Sequence, residues 1–344
     1  MINKKLYIDD SSFPDNIDNI EIINRFGKRE ITHVFHDIDG THSLIRDWPP
    51  VMSLTLHSVI ENGLPNGYDS DESIEKLIKR VGEKPLYETD KFCVESAGLS
   101  ALTQMEWAIR RAVSEGSILL PCMDENACRV NLEIIERIWA GDELFDDIYE
   151  PPFLKEYLKI HTPRLFFVYE KILNGACRDR NVQAALENPE SMRVSGSFEF
   201  IKRLYELGAE NYFVTGAVIS YDKHGKPHGG MYEEVCAVGF DVGEGKMVKT
   251  VKGSTWDEKI PKAEVMKKLC KEENIDSSKV LIIGDGRSEI AAAAYMNAVT
   301  ISRLPIDAVR QRELHKDLKT NIIVSDYTSP NFLKLFNKKE DIEK

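Results

Sequence analysis

Three short apolar runs, each ending in polar or small residues, constrain the fold of this 344-residue chain more than any other feature. The first, ITHVF, runs into Asp37; the second, YFV, runs into Thr215 and Gly216; the third, VLII, runs into Gly284 and Asp285. Short segments that are almost wholly apolar are typical of strands buried on both faces of a parallel sheet. The three runs therefore predict neighbouring strands in one buried sheet.

Helical patterns lie beside these strands and give the chain an alternating order. Apolar residues at helical spacing follow Ser197, which has the character of a helix N-cap. Pro261 stands where the first turn of another helix tolerates proline, and an Ala-rich helix is predicted over 289–297. Further strands are predicted at 298–301 and 321–324. The alternation predicts an α/β fold with a doubly wound parallel sheet.

The stretch between the first and second strands has a different pattern, with many helical segments and few strand segments. Its clearest helix begins at Asp124 as N-cap and ends at Gly141. Other helices are predicted at 71–81, 99–114, 151–160, 163–174 and 179–187. We therefore expect a discontinuous α/β core formed by 1–42 and 195–344, with a large all-helical cap domain at 43–194.

The composition excludes several classes of function. The chain has 57 acidic and 45 basic residues, which gives a net charge of −12. This acidic balance disfavours nucleic-acid binding, which needs Lys and Arg to neutralise phosphates. No apolar stretch approaches the roughly 18 residues of a membrane helix, and the first residues lack a secretory signal pattern. We expect a cytoplasmic protein without a membrane or nucleic-acid partner. The six cysteines form no CxxC pair, and an even count in a long chain without a signal is weak evidence for disulfides, so we expect reduced thiols.

The segment DIDGT places two carboxylates directly after the first strand. Ligands of open α/β sheets bind beyond the carboxyl ends of the strands. Asp37 could act as a covalent nucleophile toward a phosphoryl group. Asp39 could then protonate the leaving oxygen and later deprotonate water, while Gly40 permits the sharp turn. Taken alone, the same segment could be a solvated turn.

The other strand ends supply partners for this chemistry. Thr215 offers a hydroxyl and a backbone N–H to phosphoryl oxygens, and Lys262 offers a compact positive charge. Asp285 is a candidate Mg²⁺ ligand, and Glu289 could hold the surroundings of Asp285 or a metal-bound water. An alternative for GDGRSE is a helix N-terminus with a glutamate that complements the helix dipole. Other lysines near the favoured one are Lys249, Lys252 and Lys259.

Four motifs in this order, DIDGT, VTG, Lys262 and IIGDGRSE, resemble the haloacid dehalogenase superfamily in its phosphatase branch. The interval between Lys262 and Gly284 is similar to that of phosphoserine-phosphatase-like members, which favours this lysine over its neighbours. The resemblance covers about 31–41 and 195–335. The cap region resembles the family only in its position after the first motif and in its helical character.

The resemblance implies an aspartyl-phosphate intermediate and a bound Mg²⁺. The metal ligands would be Asp37, the backbone carbonyl of Asp39, and Asp285, with Glu289 in the same site. An acid at the position of Asp39 favours phosphoryl transfer, because dehalogenases lack it. Two histidines depart from the family pattern: His36 stands where an apolar residue is commoner, and His42 where the family often has an apolar residue.

Substrate contacts are predicted around the same motifs. We expect Gly40, Thr41 and Gly216 to contact the phosphate. Arg46 lies in the flap that should follow the first motif and could bind a substrate carboxylate or hydroxyl, and Arg287 beside the metal loop is a similar candidate. The alternative for each arginine is an ordinary surface position.

These residues predict a Mg²⁺-dependent phosphatase that hydrolyses a small organic phosphomonoester, a phosphorylated metabolite. A phosphomutase, for example of a sugar phosphate, fits the same motifs. A non-catalytic binding or regulatory protein of the same fold is the third hypothesis. This third hypothesis is disfavoured because all four charged residues of the motifs are present, namely Asp37, Asp39, Lys262 and Asp285.

Overall fold

The computed structural model describes residues 6–45, 48–82, 86–121, 123–255 and 260–338. The strands are β1 (Leu6–Asp9), β2 (Asn16–Ile17), β3 (Ile20–Ile22), β4 (Lys28–Ile31), β5 (His33–His36), β6 (Glu210–Val218), β7 (Ser220–Tyr221), β8 (Pro227–His228), β9 (Thr250–Ser254), β10 (Val280–Gly284), β11 (Val299–Arg303), β12 (Ile322–Val324) and β13 (Phe336–Lys338). The α-helices are α1 (Trp48–Asn62), α2 (Asp71–Ile78), α3 (Tyr87–Glu95), α4 (Ala101–Glu115), α5 (Glu125–Ala140), α6 (Pro152–Leu173), α7 (Asp179–Glu187), α8 (Ser197–Glu206), α9 (Gly230–Ala237), α10 (Lys262–Glu272), α11 (Arg287–Met296), α12 (Val309–Asp317) and α13 (Pro330–Lys334). None of the helices in these ranges is long and apolar enough to cross a membrane.

The main sheet has eight strands in the order β2-β3-β12-β11-β10-β5-β6-β9. Neighbours from β12 to β9 are parallel, whereas β3 and β2 add an antiparallel edge. The predicted α/β class with a parallel sheet is therefore confirmed. A separate antiparallel sheet in the order β13-β1-β4 joins segments from near the two ends of the chain.

Burial explains why β10 is almost wholly apolar. Every residue of β10 and β11 is buried. Successive side chains of a strand point to opposite faces, so complete burial means that both faces are covered. One apolar cluster includes Val34, Leu281 and Ile301 together with Phe200 and Leu204 of α8. The strand sequence is thus set by two packed faces rather than by one.

The chain forms two compact units. The first contains Met1–Ile45, Val182–Thr255 and Lys262–Lys344, and the second contains Arg46–Asn181 with Trp256–Pro261. The predicted border at residue 194 therefore differs from the observed division. The last turns of α7 belong to the first unit because Ala185 is fully buried in a cluster with Ile201 and Phe213.

The second unit is helical and is organised around α4. This helix is buried along most of its length and packs against α1, α5 and α6. Trp107 of α4 is fully buried and stacks on Phe92 with ring centroids 3.8 Å apart. Such a helix, covered on nearly all sides, occupies the centre of a bundle.

Two helix predictions were wrong in detail. The segments predicted at 151–160 and 163–174 form one helix, α6, with Pro163 inside it. Buried residues on both sides of the proline, Leu158 and Leu165, hold the helix together in spite of the missing N–H. Ser197 is the first residue of α8, and Gly196 is its N-cap. The Ser197 hydroxyl makes a hydrogen bond elsewhere, described below.

Candidate active site

Three neighbouring strands bring the predicted motifs to one edge of the main sheet. In the parallel ladder His36 of β5 lies opposite Ile283 of β10. The Asp37 N–H continues this ladder and donates to the Ile283 carbonyl at 2.8 Å. Asp285 follows β10, and Thr215 lies on β6 just beyond the residues that pair with β5. The candidate nucleophile and its partners therefore come from adjacent strands.

Asp37 is held on both carboxylate oxygens. Its side chain is almost completely buried, with 5% of the residue exposed. Oδ1 accepts a hydrogen bond from Lys262 Nζ at 2.7 Å, and Oδ2 accepts one from the Thr41 hydroxyl at 3.2 Å. A carboxylate with two fixed donors has a defined orientation, which a nucleophile needs for in-line attack.

Lys262 is the first residue of α10 and lies between two carboxylates. Its Nζ forms ion pairs with Asp37 and with Glu289. Burial alone would lower the pKa of Lys262, but the Asp37 and Glu289 carboxylates raise it above its usual value. The ammonium is therefore held in its charged form. Of its sequence neighbours, Lys249 pairs with Glu210 and Glu273 instead, and Lys259 lies outside the described residues.

Glu289 is fully buried on α11 and fits closely against the backbone of β10. Its Oε1 accepts from Lys262, and its Oε2 accepts from the Ser288 hydroxyl at 3.1 Å. Burial raises the pKa of the Glu289 carboxyl, and Lys262 opposes that rise. A Cβ added at Gly284 would lie 2.9 Å from Glu289 Cγ. Glycine is thus needed at 284 so that the glutamate can reach the lysine.

Hydrogen bonds to its backbone attach the loop after Asp37 to the rest of the core. Gly40 has φ +73°, a left-handed conformation that favours glycine. Its N–H donates to the Ser43 carbonyl at 2.9 Å, and its own carbonyl accepts from Arg303 Nη1 at 2.8 Å. The Thr41 carbonyl accepts from the Tyr327 hydroxyl at 3.0 Å.

Arg303 and Tyr327 belong to this site but were not predicted. Neither residue lies in a motif, and each acts through a backbone carbonyl more than two hundred residues away in sequence. The one signal in the sequence is that Arg303 ends an apolar strand at the same edge of the sheet. That position alone does not identify which loop the guanidinium contacts.

Thr215 and Gly216 lie within β6, whereas the sequence predicted them after its end. The ladder between β6 and β9 is irregular between Val214 and Val218, so both residues occupy a disturbed part of the strand. Such irregularities often redirect side chains next to active sites. Thr215 is 4% exposed, and its hydroxyl oxygen accepts the Ala217 N–H at 3.1 Å.

The remaining predicted residues have more varied positions. Asp39 is partly buried and forms a backbone bridge with Ser43 inside the loop. Asp285 and Arg287 are also partly buried, between β10 and the first turn of α11. Arg46 lies outside the described residues, so its predicted role in substrate binding stays a prediction.

The donor set fits a hard divalent cation that uses few protein ligands. Within the described residues, no three side chains of His, Cys, Asp and Glu form a metal-binding group. Mg²⁺ often takes only one or two carboxylates and completes its octahedron with water and phosphate oxygens. Asp37 and Asp285 follow paired strands, and burial together with these two carboxylates raises the pKa of Tyr327. Asp37 and Asp285 thus provide carboxylate oxygens at the same edge of the sheet, a donor type that suits Mg²⁺.

Two buried histidines lie beneath the loop. Burial lowers the pKa of His36 to about 4 and that of His42 well below its usual value. A neutral imidazole is therefore favoured at both positions at neutral pH. Their rings contact each other edge to face, with centroids 4.8 Å apart.

Comparisons with known proteins gave structural similarities only. No family model and no curated protein matches this sequence. A solved β-phosphoglucomutase from Clostridium difficile has a TM-score of 0.43 at 12% identity, over 88% of this chain and 96% of that one. A predicted phosphoglycolate phosphatase from Haemophilus somnus has a TM-score of 0.40 at 14% identity, over 89% and 97% of the two chains. A predicted phosphatase from Clostridium acetobutylicum has a TM-score of 0.39 at 14% identity, over 84% and 98%.

Proposed function

We propose that this chain is a phosphoryl-transfer enzyme of the haloacid dehalogenase type, and specifically a Mg²⁺-dependent phosphatase of a small phosphorylated metabolite. The observation that carries the proposal is the arrangement at Asp37. A buried carboxylate at a strand end is held by an ammonium at 2.7 Å and a hydroxyl at 3.2 Å. The four motifs supply every group that such a reaction needs.

The first half of the proposed reaction forms a covalent intermediate. One Asp37 carboxylate oxygen attacks phosphorus, the bond from phosphorus to the ester oxygen breaks, and a protonated Asp39 gives its proton to the leaving oxygen. Lys262 stays within hydrogen-bond distance of Asp37 and balances the charge that develops there. Thr215 would donate a hydrogen bond to a phosphoryl oxygen.

The second half restores the enzyme. Asp39, now a carboxylate, removes a proton from water as the water oxygen attacks phosphorus. The bond between phosphorus and the Asp37 oxygen breaks, and inorganic phosphate leaves. The Thr41 and Lys262 hydrogen bonds return Asp37 to its starting orientation.

Mg²⁺ held by Asp37, Asp285 and the Asp39 carbonyl would allow a carboxylate and a phosphate, both anions, to approach each other. The carboxylates of Asp37 and Asp285 are oxygen ligands of the kind that such a cation prefers, which is consistent with this requirement. Glu289 helps to hold Lys262 in place, because its carboxylate accepts hydrogen bonds from Lys262 and Ser288.

The test is phosphate release from a panel of sugar, amino-acid, nucleotide and small-acid phosphates, with and without Mg²⁺. We expect metal-dependent release that falls by about 10⁴-fold or more in Asp37→Asn, because the nucleophile is gone. Asp10→Asn is the matched control: Asp10 is fully buried in the same unit, but among the described residues its carboxylate accepts from the backbone N–H groups of Phe26 and Gly27.

Three outcomes would replace the proposal. Full activity of Asp37→Asn would exclude the aspartyl-phosphate route. Conversion of one sugar-phosphate isomer into another without net phosphate release would assign a phosphomutase on the same residues. Folded protein that is silent in both assays would favour a binding role.

A further inference from the structure

A chain of four buried polar side chains runs beneath the loop that carries Asp37. It consists of Ser197, His42, His36 and Asn211, and each is at most 1% exposed. The Ser197 Oγ lies 2.6 Å from His42 Nδ1, His42 Nε2 lies 2.9 Å from His36 Nδ1, and His36 Nε2 lies 3.1 Å from Asn211 Oδ1. The two histidines flank the loop, one before Asp37 and one after Thr41.

The direction of each hydrogen bond follows from the Asn211 end. The Asn211 Nδ2 donates to two backbone carbonyls, that of Met247 at 3.0 Å and that of Ile201 at 3.4 Å. This fixes the amide so that its oxygen faces His36. The Oδ1 can only accept, so His36 Nε2 must carry the hydrogen.

The remaining bonds are then determined one after another. A neutral His36 with hydrogen on Nε2 has an acceptor at Nδ1, so His42 Nε2 must donate to it. His42 Nδ1 is then an acceptor in turn, and the Ser197 hydroxyl donates to it. Every ring nitrogen has one partner, and both imidazoles are neutral. The chain therefore has a single hydrogen-bond direction, from Ser197 to Asn211.

This chain joins the elements on which the site depends. Asn211 belongs to β6, the strand of Thr215, and Ser197 begins α8. His42 also stacks on Tyr327, with ring centroids 5.2 Å apart and an interplanar angle of 13°. The Tyr327 hydroxyl in turn holds the Thr41 carbonyl.

We propose that His36 and His42 are positioning residues whose one-directional hydrogen-bond chain, from Ser197 to Asn211, fixes the Asp37–Thr41 loop in its reactive geometry. This inference rests on the proposed function for its kinetic consequence. Neither histidine touches the reacting atoms, and neither exchanges a proton during the reaction. The chain acts by holding both ends of the loop against β6 and α8.

The test uses Ser197→Ala, which removes the first donor without changing the fold's apolar packing. We expect kcat to fall about tenfold with KM within about twofold, because a loosened loop misplaces the nucleophile after substrate has bound. Ser197→Thr retains a hydroxyl and should recover most of the activity. Ser302→Ala is the matched control, since Ser302 is equally buried and bonds another histidine, His315 Nδ1, at 2.8 Å.

Two measurements do not depend on turnover. In ¹⁵N-histidine-labelled protein at pH 7, we expect a through-hydrogen-bond ¹⁵N–¹⁵N coupling between His42 Nε2 and His36 Nδ1. Amide hydrogen exchange of residues 37–43 should accelerate in Ser197→Ala and stay unchanged in Ser302→Ala. Equal losses of kcat in the two serine variants would reduce the chain to a structural role and overturn the proposal.

The remaining outcomes also test the proposal. Absence of the coupling in the unmodified protein would overturn the hydrogen bond between His42 and His36 on which the chain depends, and unchanged loop exchange in Ser197→Ala would overturn the positioning role. If the unmodified protein releases no phosphate from any ester, the proposed function fails. Coupling and exchange then still show whether the chain holds the loop.

Discussion

Each compact unit buries one cation between two carboxylates, but the two clusters are built differently. In the first unit Lys262 lies between Asp37 and Glu289. In the second unit Arg110 lies between Glu106 and Glu150, with Nη2 at 2.8 Å from each.

The arginine cluster is a product of helix packing. Arg110 and Glu106 are one turn apart on α4, and Arg110 Nη1 reaches Asn131 of α5 at 3.3 Å. Arg110 is 1% exposed. The planar guanidinium has donors in fixed directions, so it joins α4 to α5 and to Glu150, which precedes α6. These contacts all lie within the second unit.

The lysine cluster joins the ends of a strand and two helices. Asp37 follows β5, Lys262 begins α10, and Glu289 lies in the first turn of α11. An ammonium is a compact charge on a flexible stem, so it can follow a carboxylate whose charge changes during a reaction. The same charge pattern therefore stabilises helix packing in one unit and orients Asp37, the proposed nucleophile, in the other.

Among the variants that distinguish the two clusters, Lys262→Met should have the largest effect. Without the ammonium, the Asp37 and Glu289 carboxylates repel each other, and we expect kcat for phosphate release to fall by about 10³-fold. Lys262→Arg should fold but remain far slower than the unmodified enzyme, because the planar guanidinium does not fit the space that the compact ammonium occupies. Steady-state kinetics checks both variants. Near-normal kcat in Lys262→Met would contradict the proposed difference, that the lysine cluster serves the reaction and the arginine cluster serves helix packing.

The next effect is on stability rather than turnover. Arg110→Met leaves Glu106 and Glu150 buried without their cation, so the free energy of unfolding should fall by about 3–5 kcal/mol. Adding Glu106→Leu and Glu150→Leu should restore much of that loss. Chemical denaturation measures this, and kcat of the folded fraction should stay within about twofold. A selective loss of kcat would mean that this cluster also serves the reaction.

The smallest expected effect concerns the close packing of Glu289 against the backbone of β10. A methyl group at 284 would lie 2.9 Å from Glu289 Cγ, so Gly284→Ala should displace the glutamate from Lys262. We expect stability to fall by about 1–3 kcal/mol and kcat to fall about tenfold. Glu289→Asp removes one methylene, so the double variant Gly284→Ala/Glu289→Asp should be more active than Gly284→Ala alone. An additive result would show that the two positions are not coupled.

The sequence predicted those features whose causes are local. Complete burial on both faces leaves an apolar run in the sequence, so the strands ending before Asp37 and Asp285 were identified. Lys262 was selected by its interval to Gly284, and the structure places its Nζ against Asp37. Each of these features is carried by residues within one segment or at a fixed spacing.

Other features depend on tertiary partners and could not be read in the same way. Pro163 predicts a helix end, but packing on both sides keeps α6 continuous. Serine is a residue type common at helix N-caps, but the Ser197 hydroxyl forms a hydrogen bond with His42. Gly196 is the N-cap of α8 instead. The contact of Arg303 with the Gly40 carbonyl joins distant segments and has no local pattern.

The position of β5 in the sheet also bears on the order of folding. Its partners on either side are β6, where His33 pairs with Glu210, and β10, where His33 pairs with Val280. Closing such long loops delays folding, whereas helices with nearby partners form early. During synthesis at the ribosome β5 emerges before both of its neighbours and must wait for β10 to be made. The intervening helices can pack meanwhile, so the strand that precedes Asp37 is completed after them.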